Sequence, residues 1–93
     1  MLWVQIVRIP ADGVADLQLY ESRVLPLLPK YGGHLERRLR SADGCFELHV
    51  VSFPSAHDLD RYRADPERQA HLPLLERSGA KTELIEVTDI TGE

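Results

Sequence analysis

Apolar residues crowd the start of the chain, Leu-Trp-Val-Gln-Ile-Val-Arg-Ile from residue 2, and the run stops at Pro10. It is rich in Val and Ile and too short for a helix, so residues 2–9 are predicted as a strand. The spacing then changes. Val14, Leu17, Val24 and Leu28 follow the helical repeat with Asp12 placed as a cap, which predicts a helix laid over the sheet. Pro26 and Pro29 lack the N–H that a helix uses, so the helix is expected to kink or end in its last part. Gly32 and Gly33 then release the chain.

Residues 35–40 alternate with a two-residue period, Leu35 and Leu39 on one face and Glu36, Arg38 and Arg40 on the other. Ser41-Ala42-Asp43-Gly44 reads as a turn, since Asp-Gly favours a reversal with positive backbone angles, and the apolar stretch 45–53 follows as the second arm of a hairpin. Ser55 is placed to cap a second helix, with Asp58 near its positive end and Leu59 and Tyr62 on one side. Asp65-Pro66 restarts a helical turn, Ala70, Leu74 and Leu75 give the extension an inward face, and Pro73 should distort it. Gly79 closes the segment. Residues 80–87 alternate as a last strand, and the tail from Thr88 is expected to be loose.

The order is strand, helix, strand, strand, helix, strand. It predicts an α+β, ferredoxin-like βαββαβ fold: a four-stranded antiparallel sheet with two main helices on one face. At 93 residues one domain, 1–93, suffices, near the size at which a partner helps a core to form. Hydrophobic residues at 43% and charged residues at 28% describe a folding chain. Eleven basic residues against fifteen acidic ones, with the basic ones scattered, give a net charge of -4 and argue against nucleic acid as a partner. Cys45 stands alone, so no internal disulfide forms, and a reducing, cytoplasmic setting fits. No apolar run approaches the roughly 20 residues that span a bilayer, and the N-terminus lacks a basic region followed by an apolar core, so no membrane association is expected.

Tyr31-Gly32-Gly33, Phe53-Pro54-Ser55 and Asp65-Pro66-Glu67, at these spacings, resemble the dimeric α+β barrel superfamily over nearly the whole chain. Within it the sequence is most similar to small single-domain proteins of unassigned function that carry the Tyr-Gly-Gly motif, and beyond them to NIPSNAP-like proteins and antibiotic biosynthesis monooxygenases. Family members often have Arg or Lys after the glycines, where this chain has His34, and an aromatic residue in helix two, here Tyr62. The resemblance implies a homodimer packed sheet against sheet, with small ligands bound between sheet and helices or within the barrel. It also implies a choice of chemistries: oxidation of polyphenols without metal or flavin, lactone isomerisation, haem degradation, or none. A fold does not choose among them.

Several residues could carry chemistry. His49 and Glu47 share a face of the third strand by the two-residue period and could form an acid/base pair, the carboxylate raising and orienting the imidazole, or a hydrogen-bonded pair at a dimer interface. His34, Glu36 and Arg38 share a parity on the second strand. Arg38 could clamp a substrate carboxylate or phenolate with His34 beside it, or these could be solvated strand-end charges forming inter-subunit ion pairs. Trp3 and Gln5 point to one side of the first strand, where Trp3 could stack on an aromatic ligand or pack in core or interface. Tyr20 and Tyr31 flank the end of helix one, each a phenol able to donate to a bound carbonyl or to pack with its hydroxyl at the surface. Cys45 reads as a small hydrophobe.

His57 and His71 make no ligand pair with metal-site spacing, so no metal is expected. There is no phosphate loop, and Gly32-Gly33 precedes a strand rather than a helix, so no nucleotide cofactor is expected either. The sheet face left bare by the helices is expected to carry Trp3, Gln5, Val7, Val51 and Phe53 and to drive dimerisation. The function that follows is a cofactor-independent monooxygenase or isomerase acting on a small anionic aromatic metabolite. Its alternative is a noncatalytic binding or assembly module. In the enzyme His49 and Glu47 are catalytic, and His34, Arg38, Trp3, Gln5 and Tyr20 hold substrate.

Overall fold

The computed structural model describes residues 1–90. β1 (Leu2–Arg8) leads through a 3₁₀ turn at Ala11–Gly13 into α1 (Val14–Val24). A 3₁₀ helix, Leu25–Tyr31, precedes β2 (His34–Arg40) and β3 (Phe46–Ser52). Then come α2 (Ala56–Arg63), the short helices α3 (Pro66–Ala70) and α4 (Leu72–Ser78), and β4 (Lys81–Val87). The four strands form one antiparallel sheet in the order β2-β3-β1-β4, the ferredoxin-like arrangement, with the helices on one face.

Apart from Asp12, which lies within the 3₁₀ turn and makes no cap bond to α1, the punctuation read from the sequence has direct physical counterparts. Pro26 and Pro29 fall in the 3₁₀ segment, where the α-helical ladder has already ended. Gly32 closes that segment with φ 71°, and a Cβ on Gly33 would stand 2.7 Å from the Phe53 ring, so the pair is needed both for the turn and for the close approach. Gly44 has φ 77°, the positive angle expected of the Asp-Gly turn. Ser55 caps α2, its hydroxyl accepting from the Asp58 N–H at 3.2 Å.

Asp65 caps α3, accepting the N–H groups of Glu67 and Arg68 at 2.8 and 3.1 Å. The same carboxylate accepts from Lys30 at 2.9 Å and from the Tyr31 hydroxyl. These bonds, Tyr31 first, hold it well below the ordinary carboxylate range. The Tyr-Gly-Gly and Asp-Pro-Glu motifs are thus one clamp, tying the start of β2 to the first turn of α3. Residues 88–90 have no regular structure, and the rest of the tail lies outside the described residues.

Two expectations about faces are corrected. Trp3, Val7, Val51 and Phe53 do not line the bare face. They lie beneath the helices, Trp3 4% and Phe53 2% exposed, with Gln5 on the same side. The bare face belongs to the other parity: Leu2, Val4 and Ile6 of β1, Leu48 and Val50 of β3, and on the flanking strands Ile85 and Leu39, 41% and 44% exposed. The second correction is a bulge in β2, where Leu35 pairs with Val51 but Arg37 pairs with Val50, leaving Glu36 as an extra residue. Leu35 therefore faces the helices and Leu39 does not, and His34 is on the opposite side from Arg38.

The core under the helices forms two apolar clusters, one around Trp3, Leu28, Phe53 and Tyr62, the other around Val7, Leu17, Tyr20 and Val24. A row across the sheet, Arg38, His49, Gln5 and Leu84, passes through this face. Its polar members meet the helix layer where an apolar side chain would ordinarily pack.

Candidate functional site

Five ionisable side chains converge there. Glu47 and His49 stand two residues apart on β3, Arg38 and Arg40 are turned to the same side by the bulge, and Glu21 comes from α1. His49 Nε2 lies 2.8 Å from Glu47 Oε1 and 3.1 Å from Glu21 Oε2. Arg38 donates to Glu47 Oε1 at 3.0 Å and to Glu21 Oε1 at 2.9 Å, while Arg40 donates to Glu47 Oε2 at 2.9 Å. Each oxygen of the two buried carboxylates has a donor, the condition under which buried charge is tolerated.

Burial would push the Glu47 carboxyl up, but its hydrogen bonding, to His49 first, outweighs this and holds the group at about 2. Burial would likewise lower His49, yet its bonds to Glu21 and Glu47 prevail and raise it, favouring the imidazolium. The two shifts set a pH window. Glu47 stabilises the fold fully above its ordinary 4.5, and that contribution is lost as pH falls toward about 2. His49 stabilises it fully below its ordinary 6.5, and that is lost as pH rises through the raised value. Denaturant titrations are expected to show the cluster's contribution greatest between pH 4.5 and 6.5, with the alkaline decline abolished in His49→Gln. An unchanged alkaline limb in that variant would place the titration elsewhere.

Glu21, Glu47 and His49 bring one ligand atom each within 4.8 Å of one another. Arg38 already bridges both carboxylates, so the donor set fits a guanidinium and an imidazolium rather than a metal ion.

A cavity of about 200 Å³ lies between the sheet and the helices, lined by Gln5 and His49 of the sheet, Tyr20 of α1, Tyr62 of α2 and Arg68 of α3, among apolar side chains. Glu47 and Glu21 meet His49 at Nε2, which leaves Nδ1 as the free ring nitrogen of a residue on the cavity wall. Among the described residues, the Tyr20 hydroxyl and Arg68 Nε are buried side-chain polar atoms with no hydrogen-bond partner. A buried donor left unpaired costs about 1–3 kcal/mol.

Of the residues singled out in the sequence, His49, Gln5 and Tyr20 line this cavity, and Glu47 stands behind His49. Arg38 shares their row but is engaged by the two glutamates. Trp3 is packed edge-on against Phe53, ring centroids 5.9 Å apart, and His34 is exposed on the other face; neither lines the cavity. The dimer-interface reading of His49 fails as well, because the residue lies on the helix-covered side. Tyr62 was read only as a packing aromatic of the second helix, and Glu21 and Arg68 were not singled out. Glu21 had a signal, since it falls four residues after Leu17, on the inward stripe of the helix.

The chain is a ferredoxin-like α+β protein with an ionisable cluster beside a ligand-sized cavity, and solved structures share its fold. SnoaB, a cofactor-independent oxygenase from Streptomyces nogalater, superposes with a TM-score of 0.73 at 16% identity, over 99% of this chain and 96% of that one. An uncharacterized NIPSNAP domain protein from Burkholderia xenovorans matches with a TM-score of 0.68 at 19% identity, over 100% of both chains. An antibiotic biosynthesis monooxygenase gives 0.69 at 17% identity, over 96% of this chain and 100% of its own. At these identities the likeness is one of fold. No protein-family model and no curated protein matches the sequence. Among the described residues no helix is long and apolar enough to cross a membrane.

Proposed function

We propose that this protein is a homodimeric, cofactor-independent enzyme of the monooxygenase or isomerase type, acting on a small anionic aromatic metabolite in the cavity between sheet and helices. The observation that carries the reading is His49, a ring fixed at the cavity wall by two buried carboxylates that favour its protonated form. A ring whose protonated form is favoured in this way is a poor general base. It is suited to donate through Nδ1 to a ligand oxygen, stabilising the negative charge of a phenolate or enolate as it forms. Glu47 and Glu21 position the ring and keep it charged, and Arg38 and Arg40 hold the glutamates. Catalysis without a bound cofactor is what SnoaB is described as performing on this fold, which supports the class.

Dimerisation rests on the bare sheet face. An antiparallel sheet commonly leaves a polar face to water. Here that face presents Leu2, Val4, Ile6, Leu48 and Val50, an apolar set that supports a second copy of the chain as its cover.

Oxygen uptake and product analysis with a panel of hydroxylated single-ring substrates test the reaction. His49→Gln is expected to keep the fold and to slow turnover by about 10²–10³-fold, as loss of a preorganised oxyanion donor does. Full turnover in that variant would remove His49 from the chemistry. A specific observation favours the alternative, a noncatalytic binding or assembly module: Glu47 and Arg38 are engaged with each other rather than with the cavity. Tight ligand binding with no turnover of any bound compound would establish it.

A further inference from the structure

We propose that Tyr20 and Arg68 form an anion-binding subsite in this cavity, and that it selects a single-ring aromatic carboxylate, the acid group anchored there. The inference rests on the cavity reading above and deepens it.

Arg68 is held in place from several sides. Asp65 fixes the turn that carries it, accepting its backbone N–H at 3.1 Å. Nη1 donates to the Arg63 carbonyl at 3.3 Å, and the guanidinium carbon sits 5.0 Å from the centroid of the Tyr62 ring. That ring is itself fixed by its hydroxyl, which donates to the Val24 carbonyl at 3.1 Å. With these bonds made, Nε keeps a buried N–H with no acceptor, and among the described residues Arg68 enters no ion pair. Tyr20, 5% exposed, brings a second unpaired donor, its hydroxyl, from α1 to the same cavity. The Arg68 charge reaches Tyr20, working against the burial that raises its phenol.

Two buried donors beside an unneutralised cation call for an acceptor with negative charge, and a carboxylate or phenolate oxygen meets all three. Neither glutamate of the cavity side can serve, because Glu21 is taken by Arg38 and His49, and Glu47 by Arg38, Arg40 and His49. Size narrows the class. An apolar cavity of roughly 150 Å³ takes a benzene ring, so about 200 Å³ admits one ring with an acidic substituent and little more. It falls below the roughly 300 Å³ at which pockets for drug-sized, multi-ring ligands begin. Of the two acid groups, a carboxylate is the one ionised at neutral pH without help from the site.

The test is calorimetric titration of the full-length dimer or monomer, whichever exists in solution, with benzoate and with its neutral isostere benzamide. Wild type is expected to bind benzoate at least about tenfold more tightly, the worth of a hydrogen bond to a charged group. Arg68→Met should lose that preference and Tyr20→Phe should weaken benzoate severalfold. If Arg68→Met does not fold, Tyr20→Phe still decides. Equal affinity for benzoate and benzamide, or an unchanged preference in both variants, would overturn the subsite and leave the cavity reading standing. Failure of wild type to bind either compound, or any other single-ring probe, would overturn the cavity reading and the subsite with it.

Discussion

Glu47→Ala is expected to lose about 3–5 kcal/mol of stability, the cost of removing one partner from a buried ion pair. Glu47 is fully buried and accepts from His49, Arg38 and Arg40 at 2.8–3.0 Å. Its removal does not affect the three equally. Arg40, 41% exposed at its side chain, can turn to water, and Arg38 keeps Glu21. His49, 6% exposed, keeps the contact to Glu21 and loses the shorter one to Glu47, one of the two bonds that favour its proton. The cost therefore concentrates on His49 and on the void left beneath α1. A domain of this size has roughly 5–15 kcal/mol in all, and each kcal/mol moves its melting point by about 4–8 °C, so a fall of more than 10 °C is the expected result. Arg40→Ala supplies the contrast, at about 1 kcal/mol or less for an ion pair whose cation faces solvent. A Glu47→Ala protein that melts within a few degrees of wild type would show that the cluster is solvated and that His49 is not held as an imidazolium.

Much of this arrangement is legible in the sequence, and the parts that are not have physical reasons. The order of elements follows from Pro10, Gly32-Gly33, Asp43-Gly44, Ser55 and Gly79, because each of these residues acts on the backbone locally. The pairing of Glu47 with His49 follows from the pleat alone. The choice of sheet face does not. In β1 and β3 both parities are apolar, Leu2, Val4 and Ile6 on one side and Trp3 and Val7 on the other, so alternation separates two faces without saying which lies under the helices. One clue was present: Glu47, His49 and Gln5 share the parity of Trp3, and such groups need partners from another layer, as Glu21 supplies. The bulge at Glu36 left no mark that periodicity could detect, and it alone separates His34 from Arg38. Arg68 joins the cavity through the Asp65 clamp, a contact between segments thirty-four residues apart that no local pattern encodes.

Val50→Lys and Val51→Lys, one residue apart on β3, are expected to fail in different ways. Val50 lies on the bare face opposite Val4, whereas Val51, 7% exposed, lies opposite Trp3 beneath the helices. In a single subunit a lysine at position 50 reaches water, and the fold should survive with little change in circular dichroism. In a dimer closed through this face the ammonium is buried without a partner, and two-fold symmetry places a second one in the same interface. A penalty of roughly 2–5 kcal/mol for each unpaired interfacial charge weakens association by more than about a thousandfold, so sedimentation should report a folded monomer at micromolar concentration where wild type is a dimer. A lysine at position 51 instead enters the apolar cluster of Trp3, Phe53 and Tyr62, where it has no carboxylate to meet, and the protein should unfold or fail to accumulate. A Val50→Lys protein that remains dimeric would move the interface away from the sheet. A wild-type protein that is monomeric would leave Leu2, Val4, Ile6, Leu48 and Val50 in search of a different partner, and it would remove the dimer from the proposed function without touching the cavity, since none of the residues that line the cavity lies on that face.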